Sequence, residues 1–161
     1  MTLEELANSL PNGFHDSGLK NLSINYDRGT VQLTVSLKVG DPDGPPEHRD
    51  DTRDAHIEIT GLQVFAIDPP SAAAGYDLDS PGELWIADGY QTRSIPEFTK
   101  SMSRDLMESL PAEVWVHSFF VSEWNSYIHI AAKDCAMKWA GEPRPYRGRR
   151  QAFYPGETIE L

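Results

Sequence analysis

The feature that most constrains the fold is a stretch of strictly alternating side chains over residues 31–39. Apolar side chains occupy the odd positions from Val31 to Val39, and Gln, Thr, Ser and Lys occupy the even positions. Successive side chains of a β-strand point to opposite faces, so the pattern predicts a strand with one buried and one solvated face. Residues 22–26 alternate in the same way, and the glycine-containing turn at residues 27–29 predicts that the two strands form an antiparallel hairpin.

Other segments repeat the alternation, with two interruptions. The phase changes beside Gly61 and again near Asp134, and each change predicts a β-bulge. A second hairpin is expected near the end of the chain, with its turn at residues 124–126. In addition to the first hairpin, strands are predicted over residues 55–66, 84–87, 114–121 and 127–139, which makes about six strands in all.

Two short helices complete the predicted fold. Thr2 and Glu5 form a capping box for a helix that ends before Pro11, and apolar residues recur every four positions over residues 94–110. We therefore expect a mainly β protein, an antiparallel sandwich or partly open barrel of about six strands with one or two helices. Residues 1–140 are predicted to form this domain, and the Pro- and Arg-rich residues 141–161 a tail packed on it.

Composition narrows the function classes. The chain of 161 residues has a net charge of −11, and such an acidic surface disfavours nucleic-acid binding and favours a basic protein partner. Cys135 is the single cysteine, so no internal disulfide is possible, and the acidic start of the chain is unlike a secretory signal. No apolar stretch reaches the length of a membrane span. We expect a cytoplasmic protein that does not associate with membranes.

The predicted tail has the opposite charge character. Its four arginines, at positions 144, 147, 149 and 150, are interleaved with Tyr146. Arginine with tyrosine is a combination found in RNA-binding segments. Because the rest of the chain is acidic, we favour the interpretation that Arg147 and its neighbours contact the acidic body or a second copy of the chain.

Two sets of histidines with nearby carboxylates are candidates for chemistry. His15 and Asp16 lie between the first helix and the first strand, where they either line a pocket or bond to backbone groups that fix the entry of the strand; we favour the second reading. Adjacent strand residues point to opposite faces, so the two are not expected to form a catalytic pair by themselves. The second set comprises His48, Asp50, Asp51, Asp54 and His56. The spacing of these residues matches no known closed metal site, so we expect a solvated acidic loop there.

His117 and His129 lie on the two strands of the last hairpin. If the chain turns near Asn125, the two imidazoles could face one another across it and act as an acid–base pair. A packed or surface pair is the interpretation that we favour. Cys135 has no neighbouring motif, and no hydrolase, nucleotide or dinucleotide motif is present, so no cofactor or catalytic residue is predicted.

The segment at residues 12–19, Asn-Gly-Phe-His-Asp-Ser-Gly-Leu, resembles the opening phrase of a group of small uncharacterised bacterial proteins. Within that segment, Ser17 stands where the proteins of the group prefer Ala. Residues 126–132 resemble the last strand of the same group. Some of these proteins resemble immunity proteins of contact-dependent toxin systems. The resemblance therefore implies a β-rich fold and toxin neutralisation, and it implies no catalytic residues.

Three functional hypotheses follow. The first is a non-catalytic protein that neutralises a basic toxin by charge complementarity. The second is a small-molecule binder or enzyme with an aromatic pocket, whose candidate lining is Trp85, Tyr90, Trp115, Phe119, Trp124 and Tyr127. The third is a homo-oligomeric structural protein whose Arg tail bridges subunits.

Overall fold

The computed structural model describes residues 1–41, 43–69, 84–90 and 104–141. Over these ranges the chain forms eight β-strands and two α-helices, with a short 3-10 turn at Pro46–His48. The elements in chain order are α1 (Leu3–Ser9), β1 (Ser17–Asn25), β2 (Thr30–Lys38), β3 (Thr52–Thr60), β4 (Val64–Ile67), β5 (Leu84–Tyr90), α2 (Arg104–Ser109), β6 (Trp115–Val121), β7 (Ser126–Ala132) and β8 (Asp134–Trp139).

The predicted N-terminal hairpin is confirmed. β1 and β2 pair antiparallel from Asn25↔Thr30 to Gly18↔Ser36, and Gly29 closes the turn with φ +60°. The left-handed conformation suits glycine because it has no Cβ to clash with the backbone. The inward side chains of β2 are buried, as the alternation predicts.

The six predicted strands correspond to eight in the structure because the two long strands are each interrupted once. β3 is separated from β4 at Gly61, which has φ +67°, and β7 is separated from β8 at Lys133. Both interruptions lie where bulges are predicted. At Lys133 the inward positions change phase as predicted, whereas in β4 the predicted change of phase is wrong: Phe65 packs against the main core opposite Ile130, and Val64 and Ala66 face the other side. Backbone hydrogen bonds from Lys133 N to Thr60 O and from Gln63 N to Ala131 O continue the pairing across them. The two long strands thus remain paired with each other along their length.

All eight strands belong to one antiparallel sheet, in the order β4-β7-β6-β5-β1-β2-β3-β8. The sheet is not closed into a barrel, since its edge strands β4 and β8 do not pair with each other. Of the two predicted architectures, the single sheet fits the partly open form, and the two-sheet sandwich is not seen. The mainly β, antiparallel fold class is confirmed.

One hydrophobic core lies against the inner face of this sheet. It collects the inward residues of β2, β3, β6, β7 and β8, and α1 contributes Leu3 and Leu6 to it. The predicted capping box of α1 is present: Thr2 Oγ1 accepts from Glu5 N, and the Glu5 carboxylate accepts from Thr2 N. The helix thereby starts at a fixed residue and covers part of the core with its apolar side.

A smaller apolar cluster lies on the outer face of β6 and β7. Val116 and Ala131 form its centre, and Leu110 and Val114 pack on them from the chain that follows α2. The helix predicted over 94–110 appears as α2 in its described part, and residues 94–103 lie outside the described residues.

Smaller boundary differences remain. β3 begins at Thr52 rather than Ala55, and β5 continues to Tyr90 instead of ending at Ala87. Neither extension alternates apolar and polar side chains clearly, so backbone pairing with β2 and β6 sets these ends. The predicted loop at residues 69–83 and the predicted tail lie outside the described residues, apart from Pro69 and Gly141.

We expect the substitution Ile57→Ala to lower the free energy of unfolding by about 2–5 kcal/mol, because Ile57 is 1 % exposed and its truncation leaves a cavity in the core. Denaturant unfolding followed by circular dichroism measures the change. Ser23→Ala on the solvated side of β1 is the control, with an expected change within about 0.5 kcal/mol. Equal effects of the two substitutions would contradict the assignment of buried and solvated faces.

Candidate functional site

His15 and Asp16 are brought together in the turn that links α1 to β1. His15 Nδ1 lies 3.2 Å from Asp16 Oδ1, and both side chains are exposed to solvent. The expectation that they point apart is wrong, because Asp16 precedes β1 and has φ +55°, outside the extended conformation. Lys38 of β2 approaches the other oxygen of Asp16 at 3.6 Å. The pair therefore belongs to an ionic contact between the turn and β2.

The same turn is fixed by the partly buried side-chain amide of Asn12. Asn12 Nδ2 donates hydrogen bonds of 2.9 Å to Lys38 O and to Gly40 O. These bonds satisfy carbonyl groups at the end of β2 and hold the turn against it. The structural role favoured for this segment is thus carried mainly by Asn12, which the sequence analysis did not single out.

His117 lies on the inner face of β6 and is 1 % exposed. Its ring is edge-on to Phe14 and Phe119, with centroids 6.0 and 4.6 Å away. On its far side it contacts Gly89 of β5, where an added Cβ would lie 2.6 Å from His117 Nε2. His117 is therefore a packed core residue, closed off from solvent by aromatic rings and a glycine.

His129 lies on the outer face of β7 and is completely buried. Its Nδ1 is 2.8 Å from Ser118 Oγ, and its Nε2 is 3.3 Å from Asp68 Oδ2. Tyr127 stacks on the imidazole with a centroid distance of 5.7 Å and an interplanar angle of 14°. The imidazole is thus held on both nitrogens and on one ring face.

The two histidines do not face one another, contrary to the acid–base hypothesis. The register of the last hairpin places His129 opposite Ser118, and His117 opposite Ile130. Because neighbouring residues alternate faces, the two imidazoles lie on opposite sides of the sheet. An acid–base pair made of these two residues is excluded by this register.

The group Asp68, His129 and Ser118 contains the residue types of a hydrolase triad. With Nε2–H donating to Asp68, Nδ1 would accept the hydroxyl proton of Ser118, which is the relation of a base to a nucleophile. However, Ser118 and His129 are both 0 % exposed, so no substrate reaches the hydroxyl. The arrangement instead satisfies three polar groups and, together with the bond from Ser126 Oγ to Asp68 O, fixes the chain after β4.

Sequence reasoning missed Ser118 and Asp68. The register of the predicted hairpin contains the information that Ser118 lies across from His129. No local pattern indicates Asp68, because it is 61 residues away from His129 along the chain. Its approach depends on β4 pairing with β7.

The remaining predicted site residues do not gather around a common point. Trp124 is partly buried and packs against the main core, and Arg147 lies outside the described residues. His48 Nδ1 lies 3.3 Å from Asp51 Oδ2, whereas His56 lies on β3, 3.2 Å from Thr34 Oγ1. Within the described ranges, no group of three or more His, Cys, Asp or Glu side chains is placed to hold a metal ion.

The aromatic residues proposed to line a pocket do not line one together. Trp115 and Phe119 are buried, and both belong to the main core. Trp85 is 45 % exposed on β5, and its backbone N–H donates to Glu123. The side chain of Tyr90 lies outside the described residues.

Two concave sites are formed by described residues, and neither is lined by those aromatics. One, of about 320 Å³, lies between the end of α1 and Gly89, with Asn8, Phe14 and His15 in its wall. The other, of about 280 Å³, lies on the solvated face of β1, β2, β3 and β8, and we call it the sheet-face groove. Its polar lining is Asn21, Gln32, Thr34, His56, Glu58 and Lys138.

Cys135 is buried at the start of β8, and burial raises the pKa of its thiol to about 11. Its backbone N–H donates to Met1 O. The N-terminal ammonium of Met1 bonds to Asp134 and thereby lowers the pKa of that carboxyl. A thiol with this pKa is almost fully protonated at neutral pH, which makes a structural role the consistent one.

Comparison with known proteins adds little to this geometry. No protein-family model matches the chain, and no curated protein matches it either. The crystal structure of an uncharacterized protein from Neisseria gonorrhoeae is similar to it with a TM-score of 0.44 and 13 % sequence identity. That alignment covers 78 % of this chain and 92 % of the other. A similarity of this size carries no argument about function.

Among the described residues, no helix is long and apolar enough to span a membrane.

We expect Ser118→Ala to lower the free energy of unfolding by about 1–3 kcal/mol, because it leaves His129 Nδ1 buried without this partner. Ser122→Ala in the exposed turn after β6 is the matched control and should be neutral. Urea unfolding of both variants measures the difference. If Ser118→Ala were as stable as the parent protein, the contact would have no structural role.

We expect Gly89→Ala to destabilise the fold by about 1–3 kcal/mol, because the added methyl group meets the His117 ring. A double-mutant cycle with His117→Ala isolates this contact. In the His117→Ala background, Gly89→Ala should cost much less, since the space beside it is then vacant. Strict additivity of the two substitutions would show that the clash does not occur.

Proposed function

We propose that this chain is a non-catalytic binding protein whose acidic surface docks a basic protein partner. The observation that carries the proposal is the placement of its charge. The net charge is −11, and among the Asp and Glu residues whose side chains the structure describes, none is buried. The negative charge is therefore displayed to solvent, where it attracts a basic partner and accelerates encounter.

An acidic loop lies between β2 and β3 and holds five of the 25 Asp and Glu residues of the chain. Asp43, Glu47 and Asp50 are all exposed there, and Asp50 is 91 % exposed. Gly40 and Arg49 hold the segment compactly: a Cβ on Gly40 would lie 1.9 Å from Arg49 O. A compact acidic loop presents fixed charges, so less conformational entropy is lost when a partner binds.

The buried positions of the reactive side chains support a binding role over a catalytic one. Ser118, His129 and His117 are closed off from solvent, and Cys135 is buried with a raised pKa. The exposed pair His15 and Asp16 contacts Lys38. None of these residues is thus placed to meet a substrate while retaining a base beside it.

Within this proposal, the partner is a basic toxin that the chain neutralises in the cytoplasm. The resemblance of residues 12–19 to immunity-like proteins supports this, as does the acidic surface. Neutralisation would then occur by occlusion, with electrostatic steering bringing the partner in. Co-expression with the basic protein encoded by a neighbouring gene tests protection directly, because a neutraliser restores growth.

We expect charge reversal of the acidic loop to slow association with that basic protein by about tenfold or more at low salt. The variant Asp43→Lys, Glu47→Lys, Asp50→Lys is compared with the parent protein by stopped-flow or biolayer interferometry. At about 1 M salt, where the Debye length is about 3 Å, the two association rates should converge.

The control for this experiment changes the net charge equally at another place. Asp27, Asp105 and Glu108 are exposed outside the loop, and their replacement by Lys should slow association much less. Poly-L-lysine serves as the non-specific probe. The proposal fails if the basic protein does not bind at low salt, or binds no more tightly than poly-L-lysine.

A further inference from the structure

The sheet-face groove is built from two rows of side chains that run across neighbouring strands. The first row is Asn21, Thr34, His56 and Lys138, which are successive cross-strand partners on β1, β2, β3 and β8. In the second row Gln32 faces Glu58, and Glu58 faces Ala136. Because every member belongs to a paired strand, the rows have fixed positions relative to one another.

Most of the polar groups in this groove are not used by the fold. Thr34 Oγ1 lies 3.2 Å from His56 Nδ1, which orients that imidazole. Among the contacts of the described residues, no hydrogen bond or ion pair involves the side chain of Asn21, Gln32, Glu58 or Lys138. Four polar side chains thus converge on one depression and remain available to a ligand.

The two charged members lie diagonally across the groove. Lys138 is opposite His56, and Glu58 is opposite Ala136, so Glu58 and Lys138 are displaced by two residues on adjacent strands. Diagonal neighbours in a sheet are about 7–8 Å apart at the backbone. The other two corners of this four-residue set are His56 and Ala136, and Ala136 contributes only a methyl group, which leaves a gap bordered by one anion and one cation.

We propose that the sheet-face groove binds a free small zwitterion of the α-amino-acid class. Lys138 would pair with the ligand carboxylate and Glu58 with its ammonium group, while the amides of Asn21 and Gln32 bond to the remaining polar atoms. The volume of about 280 Å³ is slightly below the range of about 300–1,000 Å³ that is usual for ligand sites, which suits a ligand as small as an amino acid.

The charge of the groove separates this ligand class from others. Glu58 and Lys138 cancel, so the groove is neutral on a protein whose net charge is −11. A simple anion would meet Glu58 and a simple cation would meet Lys138, and each would also leave one charge without a counterpart. A sugar would use the amides but neither charge. A dipolar ligand satisfies both charges at once.

The test is an NMR titration of the full-length chain with glycine. Saturable shifts are expected for the backbone amides of residues 32–34, 56–58 and 136–138. Glu58→Gln and Lys138→Met should each weaken glycine binding by about tenfold, because each removes one charge-assisted contact. All substituted positions are exposed, so the fold is retained and is checked by the dispersion of the spectrum.

Two further variants make the test specific. The double exchange Glu58→Lys with Lys138→Glu should restore binding, since the ligand can reverse its direction. The matched control is Lys20→Met with Asp54→Asn, an ion pair of 2.8 Å on the same sheet outside the groove, and it should change binding by less than about twofold.

Several results would overturn the proposal. The absence of saturable shifts at glycine concentrations up to about 100 mM would do so. So would binding of glycinamide, acetate or glucose that equals or exceeds binding of glycine, because those probes lack one or both charges. Unchanged binding in Glu58→Gln and Lys138→Met would place the ligand elsewhere. This proposal is independent of the basic protein partner, and failure of either leaves the other standing.

Discussion

The pairing of the two interrupted strands is the constraint on which the rest of the structure depends. β3 pairs with β8, and β4 pairs with β7, so one long two-stranded ribbon contributes both edges of the sheet. β2 joins this ribbon through β3, and β6 joins it through β7. The inward side chains of all these strands share one core, because the ribbon connects both halves of the sheet. At Lys133 the inward positions change from even-numbered in β7 to odd-numbered in β8, and this change of phase keeps apolar residues inward on either side of the interruption.

Much of this architecture follows from the sequence, because side-chain alternation is a local signal. The hairpin of residues 22–39, the phase change near Asp134 and the capped helix α1 are present where they are predicted. Which strands become neighbours is a non-local property, and alternation does not determine it. β5 lies between β1 and β6, although it is far from both along the chain. The number of sheets depends on such pairings, so the sequence leaves a sandwich and a partly open barrel as alternatives.

The candidate site illustrates the same limit at the level of side chains. Alternation correctly places His129 on the face opposite Ile128 and Ile130, but burial of that face decides its role. An imidazole with a hydroxyl and a carboxylate beside it has the composition of a catalytic group, and only its complete burial identifies it as structural. Conversely, Glu58 and Lys138 occupy ordinary solvated positions in the sequence pattern. The ligand-binding role that we propose for them rests on strand register, which places them diagonally on β3 and β8.

The two edges of the sheet differ in how they are protected. β8 carries Asp134 and Lys138, and its first N–H after Asp134 is bonded to Met1 O. β4 contains only Val, Phe, Ala and Ile, and Ile67 is 44 % exposed. Natural sheets protect their edges from pairing with other molecules by charge, proline or short length, and within the part of the chain that the structure describes, short length is the protection that β4 has. Self-association in concentrated solution should therefore begin at β4, and a lysine at residue 67 would be the simplest way to improve the solubility of the protein.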